Sequence, residues 1–360
     1  MSWDEERGWI EVGGHRLRCA LTRPRAEGAH PAVLLLPALG ARVRTGPLAE
    51  APAGDGLAFL LRGWAEAGFV TLRVDPAGVG ESGGPAYAEA SLADDVEGQR
   101  ASLAWLTARP FVAPDRVFVL GHSLGGALAP LLVEAGASKP CGVLVYGAPS
   151  RRWSACLADG ARRQLTLAGV PAEEREREAA HAARLYDRVL REGVSPDRLR
   201  REHPELGRGR AAFDLSERHL HGRALDYFRA LDRVDPERAW RGVGAPVLAL
   251  HGEHDWVVGD DDHTRIAAWV EASGGRAAAR TLPGLDHDWL RQESLAASFA
   301  GRGRGAVDPG AVVETLAWMR AEGDRASGFT RRAEAGDTAS AAEDAHDQPV
   351  SLPELSPPRA

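Results

Sequence analysis

The sequence predicts an α/β protein, a mostly parallel, doubly wound sheet interrupted by a helical insertion, and three observations carry that prediction. Near-continuous apolar runs ending in Gly, Pro or Asp (PAVLLLPALG, FVTLRVDPAG, DRVFVLGHS) alternate with amphipathic segments (DGLAFLLRGWAEAG, SLADDVEGQRASLAWLTAR). That is the pattern of strands covered on both faces by helices. The strand pattern then stops near residue 151 and returns near residue 236. Finally, one apolar run passes through Gly121-His122-Ser123-Leu124-Gly125-Gly126 straight into an Ala/Leu-rich segment, a strand turning sharply into a helix.

Taken in order, GWIEVGG and HRLRCALTRP form a polar-edged hairpin about Gly13-Gly14. The three apolar runs follow as strands, and CGVLVYGAPS at 141–150 continues the series. The loop from Ala38 to Asp55 is long for a strand-to-helix connection, which marks it as a functional loop. PAEEREREAAHAARLYDRVLREG carries Glu/Arg pairs at helical spacing, and Ser195-Pro196 and Asp235-Pro236 each pair an N-cap with Pro at the first helical position. APVLALHGEHD, a helix at 261–273 and RAAARTLPGLDH resume the sheet. The expected organisation is a core of residues 1–150 and 236–322, a helical cap at 151–235, and a tail at 323–360 that is poor in large apolar residues and expected to be disordered.

Of 360 residues, 44% are hydrophobic and 26% charged, enough for a sizeable core. A net charge of −7 gives no basic field for nucleic acid. No apolar run is long enough to span a membrane, and the acidic N-terminal MSWDEERGWIEV lacks a signal-peptide pattern, so a cytoplasmic protein is expected. Three scattered cysteines, Cys19, Cys141 and Cys156, suit buried free thiols better than disulfides or a zinc site.

Ser123 sits where a strand-to-helix turn strains the backbone and lifts a side chain above the C-terminal edge of a parallel sheet. Gly121, Gly125 and Gly126 permit the close approach such a turn needs. A serine nucleophile requires a base and an orienting acid. Asp255 follows the strand APVLALHG and His287 lies in PGLDHDW after the next one, giving the chain order Ser, Asp, His. Glu253 and Asp260, Asp261 and Asp262 are alternative acids, and His122 reads as a packed neighbour of the turn. Asp75, Gly78 and Gly80 read as turn structure. His251, His254 and Asp255 do not suit a metal, because alternate strand residues face opposite ways. The His221-to-Asp226 spacing matches that of some glycerolipid acyltransferases, but so short a pattern arises by chance.

The elbow GHSLGG, the acid segment HGEHDWVV, the histidine segment GLDHDW and the turn DPAGVGESGG together resemble the α/β-hydrolase superfamily over roughly residues 8 to 320. Within it the chain is most similar to serine-aminopeptidase and lysophospholipase-like esterases with a helical lid. The resemblance implies an α/β-hydrolase fold and a serine esterase whose triad is Ser123, Asp255 and His287, acting on a small or medium acyl ester without cofactor or metal. Where many members have His-Gly after the third strand, this chain has Pro37-Ala38-Leu39-Gly40. Proline has no N–H, so the backbone N–H groups of Leu39 and Leu124 are the expected oxyanion donors. Trp256 and Trp289 are candidates for either pocket or core; Trp153, Tyr227 and Phe228 read as helical packing. A thioester or peptide bond on the same triad, or a non-catalytic ligand-binding role for the fold, remain the alternatives. Ser123 argues against the dehalogenases and epoxide hydrolases of this fold, which use an aspartate nucleophile. Apolar cap surface leaves a homodimer open.

Overall fold

The computed structural model describes residues 2–134, 139–207 and 214–336. Strands β1 (Trp3–Val12) and β2 (His15–Pro24) pair antiparallel in register Val12 to His15. Gly13 and Gly14 close the hairpin at φ +50° and +87°, a two-residue turn that favours glycine at both positions. The apolar runs become β3 (His30–Leu36), β4 (Val70–Val74), β5 (Val112–His122) and β6 (Gly142–Tyr146). Between them lie α1 (Gly56–Glu66), α2 (Leu92–Thr107) and α3 (Leu124–Glu134). Asp55 caps α1, and Ser91 with Asp94 forms a capping box on α2.

The segment after β6 holds α4 (Trp153–Leu167), α5 (Ala172–Tyr186), α6 (Pro196–Glu202), α7 (Pro204–Gly207), a short hairpin of β7 (His219–Leu220) and β8 (Arg223–Ala224), and α8 (Leu225–Arg233). Ser195 caps α6, and Asp235 caps α9 (Pro236–Arg241), with proline in the first turn of each. The sheet resumes with β9 (Val247–Gly252) and β10 (Ala277–Leu282), separated by α10 (Asp262–Ala272). The chain continues through β11 (Leu290–Arg291), α11 (Leu295–Gly301), β12 (Ala306–Val307) and α12 (Pro309–Gly336).

The eight-stranded sheet runs β1-β2-β4-β3-β5-β6-β9-β10, parallel from β4 onward. One apolar layer forms on each face, around Leu34, Val119 and Ile266 on one side and around Phe118, Tyr146 and Trp64 on the other. The insertion has its own apolar cluster, including Leu185, Leu199 and Phe228, which packs onto Leu124 and Leu128 of α3. Beside it, the fully buried Arg223 forks onto Asp95 of α2 at 2.6 and 3.2 Å, and its guanidinium lies 3.7 Å from the Tyr227 ring. Such a pair fixes geometry more than it adds stability, because both charges lose water.

One expectation needs correction. The tail expected to be disordered from residue 323 is helical through Gly336 as the end of α12. Ser327 is buried and accepts a hydrogen bond from Arg116 Nε at 2.8 Å, and Asp324 lies 3.8 Å from the same guanidinium. Composition misled because Ala and Arg, which make up six of those fourteen residues, are strong helix formers once a preceding helix removes the cost of nucleation. Residues 337–360 lie outside the described residues. All three cysteines are free, but only Cys19 is buried; Cys141 and Cys156 are half-buried. Among the described residues no helix is long and apolar enough to cross a membrane.

Candidate active site

Ser123 joins β5 to α3 with φ +54°, in the left-handed region a non-glycine residue enters only when its surroundings hold it there. What holds it is visible. Its N–H donates to the Tyr146 carbonyl on β6 at 3.0 Å, and its own carbonyl accepts from Gly126 and Ala127 at 2.9 and 3.3 Å. A methyl on Gly125 would collide with the Leu36 carbonyl, so the close approach of α3 to β3 requires glycine. The Leu124 and Gly125 N–H groups, at the start of α3, have no backbone acceptor among the described residues. Leu39 follows β3 and borders the same cavity as Ser123, and its N–H likewise has no acceptor among the described residues.

Asp255 lies just beyond β9 and is buried. Its Oδ1 accepts from the Val257 and Val258 N–H groups at 2.7 and 3.0 Å, and its Oδ2 lies 2.7 Å from His287 Nδ1. Burial pushes the carboxyl pKa up, but the adjacent imidazole and these hydrogen bonds more than offset it, so the pKa falls below the ordinary 3.8. His287 is the mirror case. Burial lowers it, and the Asp255 carboxylate raises it to a net value above 6.5. With Nδ1 committed to the carboxylate, Nε2 is the ring atom available for proton transfer. Among the described residues no hydrogen bond joins Ser123 to His287.

The loop bearing His287 is pinned from three sides. Asp286 accepts from the Asp288 and Leu290 N–H groups, both at 2.9 Å, and from Gln292 Nε2 at 2.7 Å. Tyr146 Oη donates to the Asp286 carbonyl, and Trp289, at φ +64°, stacks on the Tyr146 ring with centroids 3.6 Å apart. His122 Nε2 lies 2.8 Å from the His287 carbonyl. Gly147, at φ +54°, makes room for the Asp255–His287 pair: a Cβ there would lie 2.7 Å from His287 Nδ1 and 2.9 Å from Asp255 Oδ2.

Of the four alternative acids, Asp260 is exposed and the other three are occupied elsewhere. Glu253 is exposed and accepts from the Gly284 N–H, Asp261 pairs with Arg151, and buried Asp262 accepts from the Ser150 N–H. Asp75 is buried and holds the loop after β3 by accepting from the Thr45 N–H and hydroxyl. Trp153 and Trp256 border the cavity, whereas Trp289 is core. His251 stacks against His263 with ring centroids 5.2 Å apart. Sequence reasoning missed Gly147, Tyr146 and Asp286, whose roles depend on contacts across the sheet; the only local signal was the glycine closing the β6 run.

Ser123 opens onto a cavity of about 730 Å³ between the sheet edge and the insertion. Its walls are mainly apolar, with Trp153, Leu157 and Leu165 from α4, Trp256 and Val257 beside the acid, and Phe299 from α11. That size and character suit a small organic ligand.

Over 207 residues the chain is 24% identical to esterase EstD of Thermotoga maritima, a match covering 57% of this chain and 43% of that protein's length. Its fold is similar to that of Est1E from Butyrivibrio proteoclasticus, with a TM-score of 0.52 at 17% identity, covering 88% of this chain and 99% of that one. It is also similar to EstE1, a carboxylesterase cloned from a metagenomic library, with a TM-score of 0.51 at 20% identity and 89% of each chain covered. Residues 57–294 match the family model described as serine aminopeptidase, S33. With its mostly parallel sheet, its serine at the β5–α3 turn and that match over most of its length, the chain belongs to the serine aminopeptidase S33 family of the α/β-hydrolase superfamily.

Proposed function

We propose that the protein is a serine hydrolase that cleaves a carboxylic ester of a small or medium acyl substrate through Ser123, His287 and Asp255. The observation that carries the proposal is the buried 2.7 Å contact between His287 and Asp255 at the sheet edge where Ser123 meets the apolar cavity. The esterase name of the EstD relative supports an ester as the bond cleaved.

In this reading Ser123 Oγ attacks the substrate carbonyl while His287 Nε2 takes its proton, and Asp255 stabilises the imidazolium and holds its tautomer. The oxyanion accepts hydrogen bonds from the Leu39 and Leu124 N–H groups. As the tetrahedral intermediate collapses, His287 protonates the departing alkoxide and leaves an acyl-Ser123. Water, deprotonated by His287, then attacks the acyl carbon and releases the carboxylic acid, restoring the serine. The helical insertion acts as a cap that shapes the acyl site. The family description favours an amide bond to an N-terminal residue as the second substrate class on the same triad.

Intact-mass measurement after incubation with a fluorophosphonate tests the reading. One adduct per wild-type chain and none on Ser123→Ala is expected. A folded wild type that takes no adduct and turns over no ester, thioester or aminoacyl amide would replace the enzyme with a small-ligand-binding protein.

A further inference from the structure

The expected donor Leu39 lies in an irregular strap between β3 and the first turn beyond it, residues 37–47, and an oxyanion donor is useful only if its direction is fixed before the charge appears. The far half of the strap is well anchored. Asp75 accepts from the Thr45 N–H and hydroxyl at 3.1 and 2.8 Å, and Arg73 Nη1 donates to the Arg44 and Gly46 carbonyls, both at 2.8 Å. The near half, residues 38–40, contains Gly40 at φ +133°, a conformation that gives the backbone no stiffness of its own.

Two side chains grip that near half. The Gly40 N–H donates to Tyr87 Oη at 2.8 Å, and Arg44 Nη2 donates to the Ala38 carbonyl at 3.4 Å. In a trans peptide the carbonyl and the following N–H point in opposite directions. Holding the Ala38 carbonyl therefore turns the Leu39 N–H the other way, and holding the Gly40 N–H removes the neighbouring amide from competition. We propose that Tyr87 and Arg44 are positioning residues: Arg44 holds the Ala38–Leu39 peptide that bears the Leu39 N–H, Tyr87 holds the following Leu39–Gly40 peptide, and together they aim the Leu39 N–H at the oxyanion. The clamp is also tied to the insertion, because the Arg223 guanidinium lies 4.4 Å from the Tyr87 ring while it grips Asp95.

The inference rests on the acyl-transfer reading above, and its test separates the two. In the full chain, Tyr87→Phe keeps the ring under Arg223 and deletes only the hydroxyl; Arg44→Met removes the other grip. With p-nitrophenyl butyrate, either change is expected to lower kcat by about 10- to 100-fold, below the ~100- to 1,000-fold typical of losing a donor outright, with KM within about twofold of wild type. The inhibition constant of phenylboronic acid, whose tetrahedral adduct carries the same oxygen, rises by the same factor. The double variant loses no more than about one donor's worth, since both act through one amide. Tyr227→Phe, which loses a hydrogen bond to Asp95 but no contact with the strap, stays within about twofold. Unchanged kcat in Tyr87→Phe, or a loss confined to KM, overturns the clamp while leaving the serine-hydrolase reading intact. A wild type without turnover or phosphonate adduct overturns both.

Discussion

His122 Nε2 lies 2.8 Å from the carbonyl oxygen of His287, so the residue preceding the proposed nucleophile supports the loop that carries the proposed base. A carbonyl can only accept, so the proton sits on Nε2 and the imidazole is neutral. Burial, reinforced by the neighbouring His287, pushes its pKa down to about 3. His122→Phe fills the space without the donor and leaves a buried carbonyl unpaired. It is expected to cost about 1–3 kcal/mol of stability in urea titration and to lower kcat about tenfold. Wild-type values for both would show the tether to be idle.

Replacing Ser123 or His287 by alanine is expected to lower ester turnover by at least about 1,000-fold. Asp255→Asn should approach the same loss, because an amide presents the wrong partner to Nδ1. Circular dichroism should remain that of the wild type in all three. Residual turnover within tenfold of wild type in any one removes that residue from the mechanism.

The pH profile follows from the direction of the His287 shift. As the proposed general base His287 must be neutral, and the Asp255 carboxylate raises its pKa above 6.5, so kcat/KM should rise through a single midpoint above 6.5. His122, at about 3, contributes no second limb near neutrality. Asp255→Asn should move the midpoint down, since burial alone favours the neutral ring. The stability contribution has the opposite course: that of the raised histidine is complete below 6.5 and lost as pH rises through its raised pKa. That of the lowered carboxylate is complete above 3.8 and lost as pH falls through its lowered pKa. His287→Ala should therefore destabilise more at pH 5 than at pH 9, and equal losses at both would contradict the shift.

Gly147→Ala tests whether the acid-base pair needs the space that glycine gives. The new methyl would stand 2.7 Å from His287 Nδ1, at a φ of +54° that alanine disfavours. The expected result is a loss of kcat of at least about tenfold and destabilisation of about 1–3 kcal/mol. Wild-type kcat in this variant would mean that the pair shifts without cost.

Ending the chain at Glu322 rather than Gly336 removes Ser327 and Asp324 from Arg116. The shorter chain should melt a few degrees lower, roughly 2–4 °C per kcal/mol lost, with ester turnover unchanged. Identical melting temperatures would show that the last turns of α12 do not contribute to the core.

Most of the fold was legible because parallel strands buried on both faces are apolar along most of their length, and such runs as VLLL, VFVLG and VLALHG stand out in the sequence. The caps at Ser195 and Asp235 and the turn at Gly13-Gly14 were legible for a local reason: each depends on the chemistry of two or three adjacent residues. The same holds for Ser123, whose strained turn and neighbouring glycines are written in six consecutive letters. The tertiary structure alone decided how a histidine at 287 meets an aspartate at 255. It also decided that Gly147 vacates the space between them and Tyr146 and His122 hold the loop, and that Tyr87 and Arg44 grip the strap beside Leu39. Those relationships join residues 32 to 165 positions apart, or act through a single peptide plane, and are set by packing across the sheet edge rather than by local propensity. The helix beyond residue 322 belongs to the same class, since the helix before it and the contact of Ser327 with Arg116, rather than any local signal, extend it.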